Sequence, residues 1–224
     1  MDPNRITTLR TGTKEEDRMS EAVEYIRNMD HGVIVAVGSG KQGKSASLHS
    51  LINECWPNRP VYILDPTDLD VNIFPGYRKV STPGKVPVGC IVIIEDVNRV
   101  FPSRGSGKDS TLQKWLGTIS HKSIVVCITT QSMAATDMEF LRSQDTVVMH
   151  KYMHSEDLSF ERPEFKTNQA VANSWIDRMA EERPDVERRT WCFFPRFNEM
   201  VGIKLVYWWS RKHSHMLRYV NVCP

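Results

Sequence analysis

The chain has 224 residues, 40% of them hydrophobic and 25% charged, which suits one globular domain with a decorated core. No apolar run approaches the ~18–20 residues of a membrane-spanning helix, and the polar, mixed-charge start "MDPNRITTLRTGTKEED" excludes a secretory signal, so a soluble, cytoplasmic chain is expected. The net charge of +2 is uneven: Arg188 to Pro224 holds seven Lys/Arg and one acid, +6, leaving −4 elsewhere, an asymmetry that favours an acidic partner.

In chain order, residues 1–13 read as a loose arm. "KEEDRMSEAVEYIRNM" then places Met19, Val23, Ile26 and Met29 on one helical face, with acids early as the helix dipole prefers, and "DHG" ends it. Five short apolar runs with β character follow: 33–37, 61–64, 90–95, 123–130 and 146–150. Most are nearly continuous in apolar residues, as strands buried on both faces are. The helical stretches "KSASLHSLINECW" and "STLQKWLGTI" alternate with them, which argues an α/β fold with a parallel sheet and helices on both sides.

Residues 66–89 and 101–110 read as loops, the second short, basic and glycine-rich. Beyond residue 150 the pattern changes to an amphipathic helix, "NQAVANSWIDRMAEE", and two strands, "TWCFFPRF" and "VGIKLVYWW", expected to pair with their aromatic rings on the core. Bases interleave with these rings, so stacking on a single strand is the competing reading. Residues 1–31 are thus an arm and helix, 32–152 a core, and 153–224 an extension of the same domain. The five cysteines lack a C-x-x-C pair and read as reduced, buried thiols. His150 and His154 are four apart, but His150 ends a strand and no further ligand cluster is visible, so no metal is expected there.

The chemistry starts at "GSGKQGKS". Gly38, Ser39, Gly40, Lys41, Gln42, Gly43, Lys44, Ser45 and the following Ala46 lie between a strand and a helix in the pattern G-x-x-x-x-G-K-[ST]. Glycines let backbone N–H groups crowd around phosphate oxygens, Lys44 reaches the β and γ phosphates, and the Ser45 hydroxyl suits Mg²⁺. "CIVIIED" adds Glu95 and Asp96 at the end of an apolar strand: by position Glu95 takes the metal and Asp96 the attacking water. "TTQS" ends the next strand, where Gln131, or Thr130 in its place, reaches both γ-phosphate and water.

This order of motifs, with one extra strand between the first two, resembles the additional-strand (ASCE) P-loop ATPases. Within them it is most similar to the FtsK/HerA group, in particular the genome-packaging ATPases of viruses with double jelly-roll capsids. The likeness covers roughly residues 32 to 152, and "FLRSQDTVVMH" with Arg142 belongs to it. It implies a three-layer sandwich with a mainly parallel sheet in the order 5-1-4-3-2 and a C-terminal β-rich extension. It also implies ATP and Mg²⁺ as cofactors, a homo-oligomeric ring, and double-stranded DNA and capsid or portal-vertex proteins as partners. The family's arginine before the fourth strand is missing: "SHKS" puts His121 and Lys122 there, leaving Arg142 and Arg104 as candidates to act on a neighbouring subunit.

The expected function is an ATP-driven translocase packaging viral double-stranded DNA, with Arg99, Arg104 and Lys108 of the basic loop touching DNA phosphates. The competing readings are an assembly or export ATPase of the zonula-occludens-toxin and filamentous-phage type, suggested by "EDVNRVFPSR", and a nucleotide-gated DNA-binding switch.

Overall fold

The computed structural model describes residues 14–65, 76–101, 114–136, 138–141, 145–182 and 190–203. The elements in chain order are α1 (Lys14–Arg27), β1 (Gly32–Val37), α2 (Lys44–Cys55), β2 (Val61–Leu64), β3 (Tyr77–Val80), β4 (Ile91–Ile94), α3 (Val97–Val100), β5 (Val125–Thr130), β6 (Thr146–His150), α4 (Ser155–Ser159), α5 (Pro163–Glu182), β7 (Thr190–Phe194) and β8 (Glu199–Ile203). Residues 114–116 are helical, with turns following to residue 123.

The apolar runs form strands whose every residue is buried, because both faces of the sheet are covered. On β1, Ile34 and Ala36 face a cluster that includes Ile26 of α1 and Leu48, Leu51 and Ile52 of α2. Val33, Val35 and Val37 face the opposite cluster, with Trp115, Ile119, Phe140 and Met153. The sheet order is β3-β2-β4-β5-β1-β6-β7-β8. All pairs from β3 to β6 are parallel. The five predicted strands lie side by side as β6-β1-β5-β4-β2, which is the expected 5-1-4-3-2 sequence of strands.

Three strands flank them. β3 falls inside residues 66–89, which the sequence pattern reads as loop. It is an edge strand with β2 as its neighbour, so it needs no continuous apolar run: Tyr77, Arg78 and Lys79 are at least partly exposed and Val80 is buried. β7 and β8 form the expected pair, antiparallel, and β7 joins the sheet at β6. Their rings pack inward, with Trp191 2% and Phe194 5% exposed, and Trp191 lies flat over Gly202. The rings and bases beyond residue 203 lie outside the described residues, as do residues 1–13.

Among the described residues no helix is long and apolar enough to cross a membrane, and no group of His, Cys, Asp and Glu has the makings of a metal centre. Cys55, Cys90, Cys127 and Cys192 are free and buried. Burial pushes the Cys55 thiol up to about 12, so it is inert.

Candidate active site

The phosphate loop is shaped by two glycines and anchored from behind. At Gly38 φ is 151°, and a β-carbon there would meet Lys151 Cβ at 2.8 Å and the Tyr152 carbonyl at 2.9 Å, so a side chain would drive off the segment leaving β6. Gly43, with φ 77° and ψ 26°, is left-handed and turns the chain into α2, whose first backbone bond runs from Ser47 N–H to Gly43 O at 2.9 Å.

The Lys44 ammonium folds back on the loop and donates to the Gly38 and Ser39 carbonyls, each at 2.9 Å. Burial pulls its pKa below the ordinary lysine value, while Asp96, Glu95 and Asp157 pull it back up. Ser39, expected among the nucleotide-binding residues, has another task. Its N–H donates to Tyr152 O at 3.0 Å and its hydroxyl donates to Asp157 of α4 and accepts from His154 N–H at 2.8 Å. It is 1% exposed and ties the loop to the α4 segment. Gly40 and Lys41 are exposed, and Gln42, Gly43, Ser45 and Ala46 partly so.

The two acids at the end of β4 are brought to this loop by the sheet register. Ile94 is paired with Ile128, which sets Glu95 beside Thr129. The Glu95 carboxylate accepts from Ser45 Oγ at 2.9 Å and Thr129 Oγ1 at 2.7 Å on one oxygen, and from His49 Nε2 at 3.2 Å on the other. Burial alone would raise its pKa, but the hydrogen bonds and charge of His49 and the Thr129 and Ser45 hydroxyls outweigh it and hold the carboxyl below its ordinary value. Asp96 sits in the left-handed region at φ 47°, and its N–H donates to Thr129 Oγ1 at 2.9 Å.

Gln131 is exposed at the tip of β5, its Oε1 3.8 Å from where a β-carbon on Gly40 would lie. Thr130 turns away into a second set of bonds. It accepts from Asn98 Nδ2 of α3 at 3.0 Å and from Ser132 N–H at 3.2 Å, with Thr136 Oγ1 at 3.0 Å. The turn after Gln131 is held from α4–α5: the Glu161 carboxylate accepts from Met133 N–H at 3.0 Å and Ala134 N–H at 2.9 Å.

Lys44, Ser45, Glu95, Asp96 and Gln131 therefore meet at one end of the sheet. Arg104, Lys108 and Arg142 lie outside the described residues, and so does the side chain of Arg99. His150 is buried, with Nδ1 2.8 Å from Gln169 Oε1, and its ring stacks on Phe165. Thr129, His49, Asp157 and Glu161 are missing from the sequence-level set. Thr129 and His49 carried a signal, the first through strand adjacency and the second through its i+4 spacing from Ser45. Asp157 and Glu161 carried none.

No protein-family model and no curated protein matches the sequence. Solved structures do match in fold. The genome-packaging NTPase B204 of Sulfolobus turreted icosahedral virus 2, solved with ATP-gammaS, aligns with a TM-score of 0.52 and 12% identity over 80% of this chain and 99% of its own. A second structure, of an ATPase, aligns with a TM-score of 0.51 and 15% identity over 83% of this chain and 82% of its own. The N-terminal domain of zonular occludens toxin from Neisseria meningitidis aligns over 54% of this chain and 76% of its own, with 19% identity and a TM-score of 0.42. Together with the strand order, the two alignments with a TM-score above 0.5 show that the chain has an α/β P-loop fold.

Proposed function

We propose that the chain is a Mg²⁺-dependent ATPase that translocates double-stranded DNA, packaging a viral genome in the host cytoplasm or at a virion vertex. The carrying observation is the meeting of the phosphate loop with an acid-ended strand, measured by the 2.9 Å contact of Ser45 Oγ with Glu95. A hydroxyl and a carboxylate are the hard oxygen donors that Mg²⁺ takes beside substrate phosphates, so the residues fit that ion. Bound there, it would supply charge neutralisation on the β and γ phosphate oxygens.

The chain's own groups do the rest. On nucleotide binding the Lys44 ammonium exchanges two loop carbonyls for phosphate oxygens, and the positive end of α2 faces the same anion. Asp96 accepts the proton of the attacking water, and Gln131, beside Gly40, orients that water against the γ-phosphate. In a homo-oligomeric ring, Arg142 or Arg104 of a neighbour stabilises the charge of the transition state. Arg99, Arg104 and Lys108 take DNA phosphates, and capsid or portal-vertex proteins anchor the ring. Residues 32–152 form the ATPase core, and 153–224 extend the same domain.

The test is the ATPase rate of the purified chain at low salt, with and without double-stranded DNA. Stimulation that fades as salt rises is expected, since phosphate contacts release counterions. A rate indifferent to DNA would refute translocation, and stimulation by a coat or membrane protein instead would point to export. Lys44→Ala should abolish nucleotide binding or turnover, and retained activity would refute the site itself.

A further inference from the structure

We infer that His49 is a positioning residue that fixes the plane of the Glu95 carboxylate, so that one of its oxygens stays turned to the phosphate loop. The inference rests on the ATPase reading above. His49 lies one helical turn after Ser45, so both project from the same side of α2. It is fully buried. Its Nε2 is 3.2 Å from Glu95 Oε1, while Ser45 Oγ and Thr129 Oγ1 are 2.9 and 2.7 Å from Glu95 Oε2. The two oxygens are thereby given separate duties: Oε2 faces the site and Oε1 is held from behind.

A carboxylate accepts only, so His49 Nε2 carries the hydrogen. Nδ1 lies 3.2 Å from the Tyr77 hydroxyl on β3. The two rings stack at 5.6 Å with planes 24° apart, which fixes the imidazole in turn. A chain of hydrogen-bond contacts runs from Tyr77 through His49 to Glu95.

Glu95 needs this support for a geometric reason. A glutamate reaches one methylene further than an aspartate, and its terminal torsion is broad and roughly two-fold. An unheld carboxylate would rotate and turn both oxygens away from an ion at Ser45. His49 removes that freedom before the ion arrives.

The experiment uses the full chain, a non-hydrolysable fluorescent ATP analogue and Mn²⁺, whose own resonance reports binding without turnover. His49→Phe keeps a ring against Tyr77 but removes the donor, and His49→Gln keeps a donor that reaches Glu95. Groups of this supporting kind typically change metal affinity by about 10–100-fold, so that loss is expected for His49→Phe, with analogue binding in the absence of metal unchanged. His49→Gln should recover most of it, and Tyr77→Phe should weaken Mn²⁺ binding in the same direction but less. Should His49→Phe fail to fold, Tyr77→Phe carries the test. Wild-type Mn²⁺ affinity in either folded phenylalanine variant overturns the role of His49. A wild-type chain with no Mn²⁺-linked analogue binding overturns the ATPase reading and this inference with it.

Discussion

Glu161 is the residue whose replacement most directly tests how the β5 tip is held. It lies between α4 and α5, is 5% exposed, and accepts from Met133 N–H at 3.0 Å and Ala134 N–H at 2.9 Å. Arg162 beside it donates to Ala134 O at 3.2 Å, so the turn after Gln131 is gripped at both donor and acceptor. Glu161→Gln preserves shape and volume but replaces one acceptor oxygen with an NH₂ group aimed at a backbone donor. One bond is lost, one nearly buried N–H is orphaned, and the remaining bond loses its charge assistance. A hydrogen bond to a charged group contributes about 1.5–3 kcal/mol, and an orphaned buried donor costs about 1–3 kcal/mol. These describe one event from two sides and are not summed, so the expected loss is about 2–3 kcal/mol.

Urea unfolding at neutral pH measures it, as a lower midpoint with an unchanged slope. Glu156→Gln, on the exposed face of α4, is the control and should stay within about 0.5 kcal/mol of wild type. The ATPase turnover of Glu161→Gln should fall as well, because Gln131 stands immediately before the released turn. A stability change no larger than that of the control would refute the clamp.

Three further outcomes are expected. Asp96→Asn should bind ATP and fail to hydrolyse it, whereas Glu95→Gln should lose the dependence of nucleotide affinity on Mg²⁺; equilibrium binding beside single-turnover hydrolysis separates them. Arg59→Ala should cost about 2–4 kcal/mol in denaturant unfolding, since its half-buried guanidinium donates to the Gly89, Met29, Asp30 and Ser123 carbonyls, and Arg59→Lys should recover less than half because an ammonium lacks the fork. Burial holds the His150 imidazole at about 4 against its ordinary 6.5, partly offset by its bond to Gln169. The unfolded chain therefore takes up this proton first as pH falls. Stability is full above pH 6.5 and declines by about 3 kcal/mol towards pH 4, a slope that His150→Gln should remove.

The central sheet was legible because burial on both faces leaves a simple trace, continuous apolar runs bounded by Gly, Pro and polar residues. β3 was not, because Tyr77, Arg78 and Lys79 are at least partly exposed and leave no continuous apolar run. The phosphate loop and the acid pair were legible because their chemistry constrains adjacent residues. What stayed hidden joins distant parts of the chain: Ser39 to Asp157, and Met133 to Glu161. Such pairs need the three-dimensional path of α4 and α5, and no local spacing encodes it. As a result, residues after 152 read as a simple addition to the core, whereas they grip the phosphate loop and the β5 tip.

The order of the two acids, Glu95 before Asp96, has a physical reading in these contacts. The first acid must span from the end of β4 to Ser45 on α2, to Thr129 on β5 and to His49, and the longer side chain meets all three. The second acid sits at φ 47° and ψ 58°, a left-handed conformation that Asp and Asn tolerate better than Glu. Each position thus holds the acid its backbone and its partners favour. Swapping them, Glu95→Asp with Asp96→Glu, would shorten the reach by a methylene and place a longer side chain on a strained backbone. The exchange should therefore lower both Mg²⁺-linked nucleotide affinity and stability, and a double variant equal to wild type in both would show that the order carries no structural meaning.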